Sequence, residues 1–141
     1  MKLNIPKGLM VLAILLMIGN VFSIRYILRP DAHMIFFGHI LSGLSFRLYY
    51  AGLAIINFTI AIGLLFRYRL SYVGFFIISA WGIFAAIVNI YLTTNDTLLE
   101  SGWKSSNNLT SFHIVQWLVV FVVSLMAFWL FCYRRQFRSG K

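Results

Sequence analysis

The chain has 141 residues, of which 61% are hydrophobic and 11% are charged, and its formal net charge is +9. A soluble domain is typically about 45–50% apolar and about 25% charged, so this composition excludes an ordinary soluble domain and indicates an integral membrane protein. The single cysteine excludes an intrachain disulfide, and basic residues that flank long apolar runs argue against nucleic-acid binding.

Several apolar stretches are long enough to cross a bilayer, because roughly 20 helical residues span a hydrocarbon core about 30 Å thick. They contain no Asp, Glu or Lys, and Arg25 lies in the last turn of the first stretch. We therefore expect an all-α fold, a four-helix bundle that forms a single transmembrane domain over residues 1–141. The predicted spans are 8–28, 48–66, 72–92 and 112–132.

The segment between the first two spans, residues 30–46, predicts an amphipathic helix. Pro30 suits the first turn of a helix, and Asp31 interacts favourably with the positive end of the helix dipole there. Apolar residues then recur at helical spacing and form one face: Phe36, Phe37, Ile40, Leu41 and Leu44. We expect this helix to lie on the outer membrane surface or to dip into it. A fifth span is the alternative, but it would leave almost no turn before the second span.

The second and third spans are joined by a short turn over residues 67–71, which predicts that they are adjacent and antiparallel. Small residues, which allow membrane helices to approach closely, follow one stripe on each span: Gly52, Thr59 and Gly63 on the second, and Gly74, Gly82 and Ala86 on the third. We expect this pair to form the core of the bundle. A polar loop over residues 93–111 connects the third and fourth spans.

The basic residues predict the orientation of the chain, because Lys and Arg are enriched in cytoplasmic loops. If the N-terminus is inside, eight basic residues lie on the inner side: Lys2, Lys7, Arg67, Arg69, Arg134, Arg135, Arg138 and Lys141. Four lie on the outer side: Arg25, Arg29, Arg47 and Lys104. We therefore expect both termini to be cytoplasmic.

Two stretches of the chain resemble parts of small prokaryotic membrane proteins with four spans. These are IPKGLMVLAILL over residues 5–16, and GLLFRYRLSY over residues 63–72, although many of those proteins have Trp where this chain has Tyr72. The resemblance implies a multi-pass protein of a bacterial or archaeal plasma (inner) membrane. That family has no established reaction, so no functional residue follows from the resemblance.

Each predicted span carries one amide side chain, and these are Asn20, Asn57, Asn89 and Gln116. Together with His113 and His39 they form a candidate ligand-binding set, a polar pocket in the outer leaflet for a lipid, a quinone or a haem. A haem would need His39 and His113 to meet as axial ligands across the bundle. The alternative, which we favour, is that the amides stabilise helix packing by hydrogen bonds between helices.

A second candidate site is basic and lies on the predicted inner side. Arginines that flank the spans can bind anionic lipid headgroups, and these are Arg67, Arg69, Arg134, Arg135 and Arg138. They also serve as topology signals, which is our default interpretation. No carboxylate lies in a predicted span, and this argues against proton-coupled transport, which needs an ionisable group within the membrane.

The sequence contains no pattern of a nucleophile, a general acid and base, or a metal site, so we expect neither an enzyme nor a bound metal, and no cofactor unless it is haem. The expected function is a non-enzymatic subunit of a larger membrane complex, or a small homo-oligomer. Its partners would be the lipid bilayer and other membrane subunits or further copies of itself. A lipid-, quinone- or haem-binding protein is the first alternative, and a passive channel or uncoupled carrier is the second.

Overall fold

The computed structural model describes residues 5–29, 33–37, 39–94 and 106–137, which are mostly helical. Four long helices and a short hairpin make up the described fold. In chain order the elements are α1 (Lys7–Ile27), β1 (His33–Phe36), β2 (His39–Ser42), α2 (Gly43–Leu65), α3 (Arg69–Thr94) and α4 (Ser106–Cys132), followed by a short 3₁₀ helix (Arg134–Phe137).

Within these residues, α1, α2, α3 and α4 are each long and apolar enough to cross a membrane. The prediction of membrane-length helices in a multi-pass protein is therefore confirmed. The observed helices are longer than the predicted spans at some ends, since α2 begins at Gly43 and α4 at Ser106. Hydropathy locates only the apolar part of a helix, and the polar first turns of α2 and α4 lie outside that part.

The predicted amphipathic helix over residues 30–46 is wrong. Its described residues form an antiparallel hairpin in which His33 pairs with Ser42 and Phe36 with His39, and α2 follows directly. The residues predicted to form one apolar face differ in exposure, since Leu44 is 72% exposed whereas Phe36, Phe37, Ile40 and Leu41 are half-buried. A paired ladder satisfies the backbone of this segment in place of helical hydrogen bonds. Pro30, Asp31 and Gly38 lie outside the described residues.

The helices pack in chain order around the bundle. α1 packs most extensively against α2, and α3 against α4, whereas α1 and α4 share few contacts. The turn from α2 to α3 places these two helices antiparallel and adjacent, as predicted, with Tyr68 N–H donating to Gly63 O at 2.8 Å. Small residues permit the close approach near this turn, where a Cβ on Gly63 would overlap Ser71 Oγ.

One end of the bundle holds the apolar core, and we call it the core end. It is closed by buried side chains from every long helix and from the 3₁₀ helix: Leu9, Leu12, Ile60, Leu64, Phe75, Leu130 and Phe137. α1 and α4 meet there, because a Cβ on Gly8 would overlap the Tyr133 hydroxyl. The opposite end, where β1 and β2 pack against α2 and α3, is the hairpin end.

Candidate functional site: a cavity inside the bundle

A cavity of about 220 Å³ lies between the core end and the hairpin end. Side chains near the middle of all four long helices surround it. Its described lining residues are Leu16 from α1, Tyr49, Leu53 and Asn57 from α2, Phe75, Ile78, Ser79, Trp81 and Gly82 from α3, and Val123 and Met126 from α4. The position is at mid-membrane depth if the helices cross the bilayer.

Two polar side chains belong to this lining, Asn57 on α2 and Ser79 on α3. Ser79 is 7% exposed and Asn57 is half-buried, and neither forms a hydrogen bond with another residue of the described ranges. By contrast, the hydroxyl of Thr59, on a different face of α2, donates to Ile55 O at 2.9 Å. A polar group without a partner is costly in an apolar interior, so Asn57 and Ser79 are available to a guest molecule.

The cavity is also neutral. None of its described lining residues is an acid, a base or a histidine, and most are aliphatic or aromatic. A charged guest would lose its hydration without gaining a counter-charge, which costs several kcal/mol or more at this depth. The lining therefore favours an uncharged molecule that is apolar over most of its surface.

The hairpin packs against the cavity wall through aromatic contacts. Tyr49 and Trp81 line the cavity, and the ring of Phe36 lies 4.9 Å from the ring of Tyr49 and 6.5 Å from that of Trp81. The ring of Phe37 lies 5.8 Å from that of Trp81. These separations are typical of favourable aromatic pairs, so the tip of the hairpin and the cavity wall form one aromatic cluster.

Asn89 holds the hairpin in place. The N–H of Phe37 donates to Asn89 Oδ1 at 2.8 Å, and Asn89 Nδ2 donates to Ile35 O at 3.1 Å. Asn89 is 3% exposed, so these bonds replace water for two backbone groups of the turn. The Asn89 side chain thus pairs with one backbone N–H and one backbone C=O of the hairpin, as the backbone of a neighbouring strand would.

His113 supports the same region from α4. Thr93 Oγ1 donates its proton to Asn89 O at 2.7 Å and shares it with Ile90 O at 3.1 Å. His113 Nε2 lies 2.8 Å from Thr93 Oγ1, and because the hydroxyl proton is already used, we assign His113 Nε2–H as the donor. The bond joins α3 and α4 at the hairpin end.

The structure separates the candidate ligand set proposed from the sequence. Asn57 lines the cavity, whereas Asn89 and His113 stabilise the hairpin end. Asn20 is 6% exposed, its Nδ2 has no partner among the described residues, and it lies one helical turn from Leu16 on the same face of α1. Gln116 is half-buried on α4 and His39 is exposed on β2.

A haem held by His39 and His113 gains no support from these positions, since His39 is exposed and His113 Nε2 already binds Thr93. In the part of the chain that the structure describes, no group of three or more His, Cys, Asp or Glu side chains comes together to hold a metal ion.

Sequence reasoning missed most of the cavity wall. Tyr49, Trp81 and Ser79 carry no pattern that separates a cavity residue from an ordinary packing residue. Gly82 was expected to bring two helices together, but it lines the cavity, and a Cβ at this position would meet no heavy atom within 4 Å.

Four of the five predicted anionic-lipid residues lie at the core end. Arg67 and Arg69 flank the turn before α3, Arg134 and Arg135 belong to the 3₁₀ helix, and Arg138 lies outside the described residues. The guanidinium of Arg134 lies 4.3 Å from the centre of the Phe131 ring, which is a cation–π contact. An open groove of about 530 Å³ runs beside the turn, lined by Tyr68, Arg69, Leu70, Ser71 and Val73.

Comparison with known protein families, with curated proteins and with solved structures finds no match to this chain.

Proposed function

We propose that the chain is a non-enzymatic membrane protein that binds a small neutral molecule inside its helical bundle. The observation that carries this proposal is the cavity of about 220 Å³ in which Asn57 and Ser79 have no hydrogen-bond partner among the described residues. Binding sites for small molecules are mostly apolar and contain a few polar groups that orient the ligand. This cavity has that composition.

The cavity is partly open, so its volume sets how large a part of a guest fits inside it. Ligand pockets are commonly about 300–1,000 Å³, and an apolar cavity of about 150 Å³ holds benzene. A volume of about 220 Å³ therefore suits one substituted ring or a short branched chain. Several waters would also fit, but only Asn57 and Ser79, with the polar tips of Tyr49 and Trp81, would bind them, and each buried water needs two to four polar partners.

Two glycine substitutions test the proposal with a matched control. Gly82→Leu places a side chain in the cavity, while Gly19→Leu adds the same side chain to an exposed position on α1. A Cβ at either glycine meets no heavy atom within 4 Å, and both changes improve helix propensity by about 1 kcal/mol, so folding should tolerate both. The two variants thus differ in whether the cavity is filled.

The measurement is native mass spectrometry of protein extracted from its own membrane in a gentle detergent. We expect the wild-type chain and Gly19→Leu to retain a small molecule of fixed mass, and Gly82→Leu to lose it. A wild-type chain without a small molecule, or equal retention by all three proteins, contradicts the proposal.

A second candidate function, a subunit of a larger complex or a homo-oligomer, is favoured by the surface of α4. Among the four long helices, α4 buries the smallest share of its membrane-length segment, 6% against 22% for each of the others. Ser124 is exposed near the middle of α4 and forms no hydrogen bond with another described residue. A hydroxyl that faces lipid without a partner is costly, whereas a neighbouring helix can supply the partner.

The same mass spectra test this candidate. We expect either a multiple of 16.3 kDa or the mass of a second polypeptide, and we expect Ser124→Leu to release the single chain. A wild-type spectrum of single chains contradicts the subunit function, and an assembly that Ser124→Leu leaves unchanged contradicts the role of Ser124.

We further propose a plasma-membrane location in which both termini and the core end face the cytoplasm. The excess of basic residues at this end supports it, because Arg67, Arg69, Arg134 and Arg135 all lie there. Arg135→Cys, made together with Cys132→Ser, provides one thiol for a membrane-impermeant reagent. We expect labelling in inside-out vesicles and protection in right-side-out vesicles, and the reverse pattern contradicts the orientation.

A further inference from the structure

The polar groups of the cavity can bind both a ring carbonyl, as in a quinone, and a ring hydroxyl, as in a quinol. The Asn57 amide donates through Nδ2 and accepts through Oδ1, and the Ser79 hydroxyl can also donate and accept. A carbonyl oxygen needs donors, whereas a phenolic hydroxyl can also donate to Asn57 Oδ1. The two groups can therefore pair with either form of the same ring without an ionisable residue in the lining.

The apolar part of the wall suits a flat ring. Phe75 and Trp81 contribute aromatic rings to the lining, and Met126 contributes a thioether, which packs favourably against aromatic rings. A six-membered ring with oxygen and methyl substituents is somewhat larger than benzene, which matches about 220 Å³. Four fused rings of a sterol exceed this volume, and the headgroup of a phospholipid carries a charge that the wall cannot compensate.

A lipid tail attached to such a ring has a route out of the bundle. α1 and α4 share few contacts, and they meet at the core end, beside Gly8 and Tyr133. Leu16 of α1 and Val123 of α4 both line the cavity. Among the pairs of helices that follow one another around the bundle, α1 and α4 are the least closely packed, and in a bilayer the seam between them would face acyl chains.

We propose that the cavity binds the ring of a quinone-class lipid, with ring oxygens bonded to Asn57 and Ser79 and the tail leaving between α1 and α4. This inference rests on the proposed function and names the class of its ligand. The site holds the ring in its quinone or quinol form and takes no part in converting one form into the other.

Trp81 provides a direct probe, because it lines the cavity and quinones quench indole fluorescence on contact. A protein with Trp81 as its one tryptophan is made by changing Trp103, Trp117 and Trp129 to Phe. It is reconstituted in nanodiscs and titrated with a benzoquinone that carries a ten-carbon tail. A matched protein retains Trp117 alone, which is exposed on α4 and reports collisions within the lipid.

Trp81 is 41% exposed, so we expect its quenching to show a saturable phase added to a linear rise, whereas quenching of Trp117, which is 58% exposed, should show only the linear rise with the quinone content of the membrane. Asn57→Leu and Ser79→Ala should each weaken the saturable phase by about five- to tenfold, as the loss of one hydrogen bond predicts, and Gly82→Leu should abolish it. Ser79→Ala is a small change that folding tolerates, so it tests the site independently of Asn57→Leu.

Linear quenching of Trp81, equal to that of Trp117, overturns the quinone inference. So does saturable quenching that neither Ser79→Ala nor Gly82→Leu changes. If the native mass spectra show a Gly82-sensitive small molecule and Trp81 does not respond to the quinone, then the quinone class is wrong and the proposed binding function stands. If no small molecule is retained and no saturable quenching occurs, both proposals fail.

Discussion

Replacing Asn89 by Leu should release the hairpin while it leaves the helices in place. The change keeps the approximate size of the side chain but leaves the N–H of Phe37 and the C=O of Ile35 without partners. Each stranded backbone group costs about 1–3 kcal/mol in a buried setting, whereas hydrogen bonds between membrane helices average about 0.6 kcal/mol. The bond to Ile35 O is buried and the bond from Phe37 N–H is partly buried, so we expect about 2–4 kcal/mol in total.

That free energy corresponds to roughly a 30- to 700-fold increase in the opening equilibrium of the hairpin, since 1.4 kcal/mol is a factor of ten. Hydrogen–deuterium exchange of peptides over residues 33–42, measured in nanodiscs, reports this opening directly. Asn57→Leu is the control, because it makes the same substitution on α2 without touching a hairpin hydrogen bond. A change of less than fivefold in Asn89→Leu, or an equal change in Asn57→Leu, would refute the anchoring role of Asn89.

Three further outcomes follow from named contacts. Gly63→Ala should destabilise the protein by about 1–3 kcal/mol, because the new methyl group overlaps Ser71 Oγ. Adding Ser71→Gly should restore the stability of the protein. Unfolding in a detergent titration measures the stability of both variants. Thr93→Val should cost about 1 kcal/mol in the same assay through loss of the bond to His113, and an unchanged unfolding curve would contradict our assignment of that bond. Arg69→Gln should reduce retention of anionic phospholipid about fivefold, because one charge contributes about 1 kcal/mol. Native mass spectrometry with anionic and zwitterionic lipids in competition measures this retention. If the variant and the wild-type chain retain anionic lipid equally, Arg69 is a topology signal only.

The membrane-length helices were predictable because their signal is local. Each span is a continuous apolar run, and the basic turn before α3 separates two of them regardless of how the rest of the chain packs. Adjacent antiparallel packing of α2 and α3 follows from the length of that turn alone. The orientation of the termini has the same local basis and stays a prediction.

The hairpin was not predictable because its stability depends on a distant residue. Phe36, Phe37 and Ile40 fit the stripe of a helix, and their backbone would have been satisfied in one. The strands are favoured because Asn89 pairs with the turn and because Trp81 packs against its aromatic rings. Both contacts are made by residues of α3, so the spacing of apolar residues within 33–42 does not predict them.

Among the residues that line the cavity, Asn57 is the one that the sequence predicted as a ligand-binding residue. Asn57 was suspected because an amide in an apolar span needs a partner, and that reasoning applied equally to Asn20, Asn89 and Gln116. Which amide faces a cavity depends on where helices fail to fill space, and that is a property of packed volumes that a single sequence does not display. Gly82 illustrates the limit, since a small residue can mark either a close contact or a gap.

The hydrogen bonds of Asn89 also constrain the order in which the molecule assembles during synthesis. Asn89 follows Phe37 by 52 positions, so at about 5–20 residues per second the ribosome takes roughly 3–10 s to make the partner of the hairpin. Until α3 is inserted, the N–H of Phe37 and the C=O of Ile35 remain to be paired, and hydrocarbon offers no partner for them. We therefore expect the hairpin to stay in contact with water until α3 is inserted, and to join the bundle after its third helix.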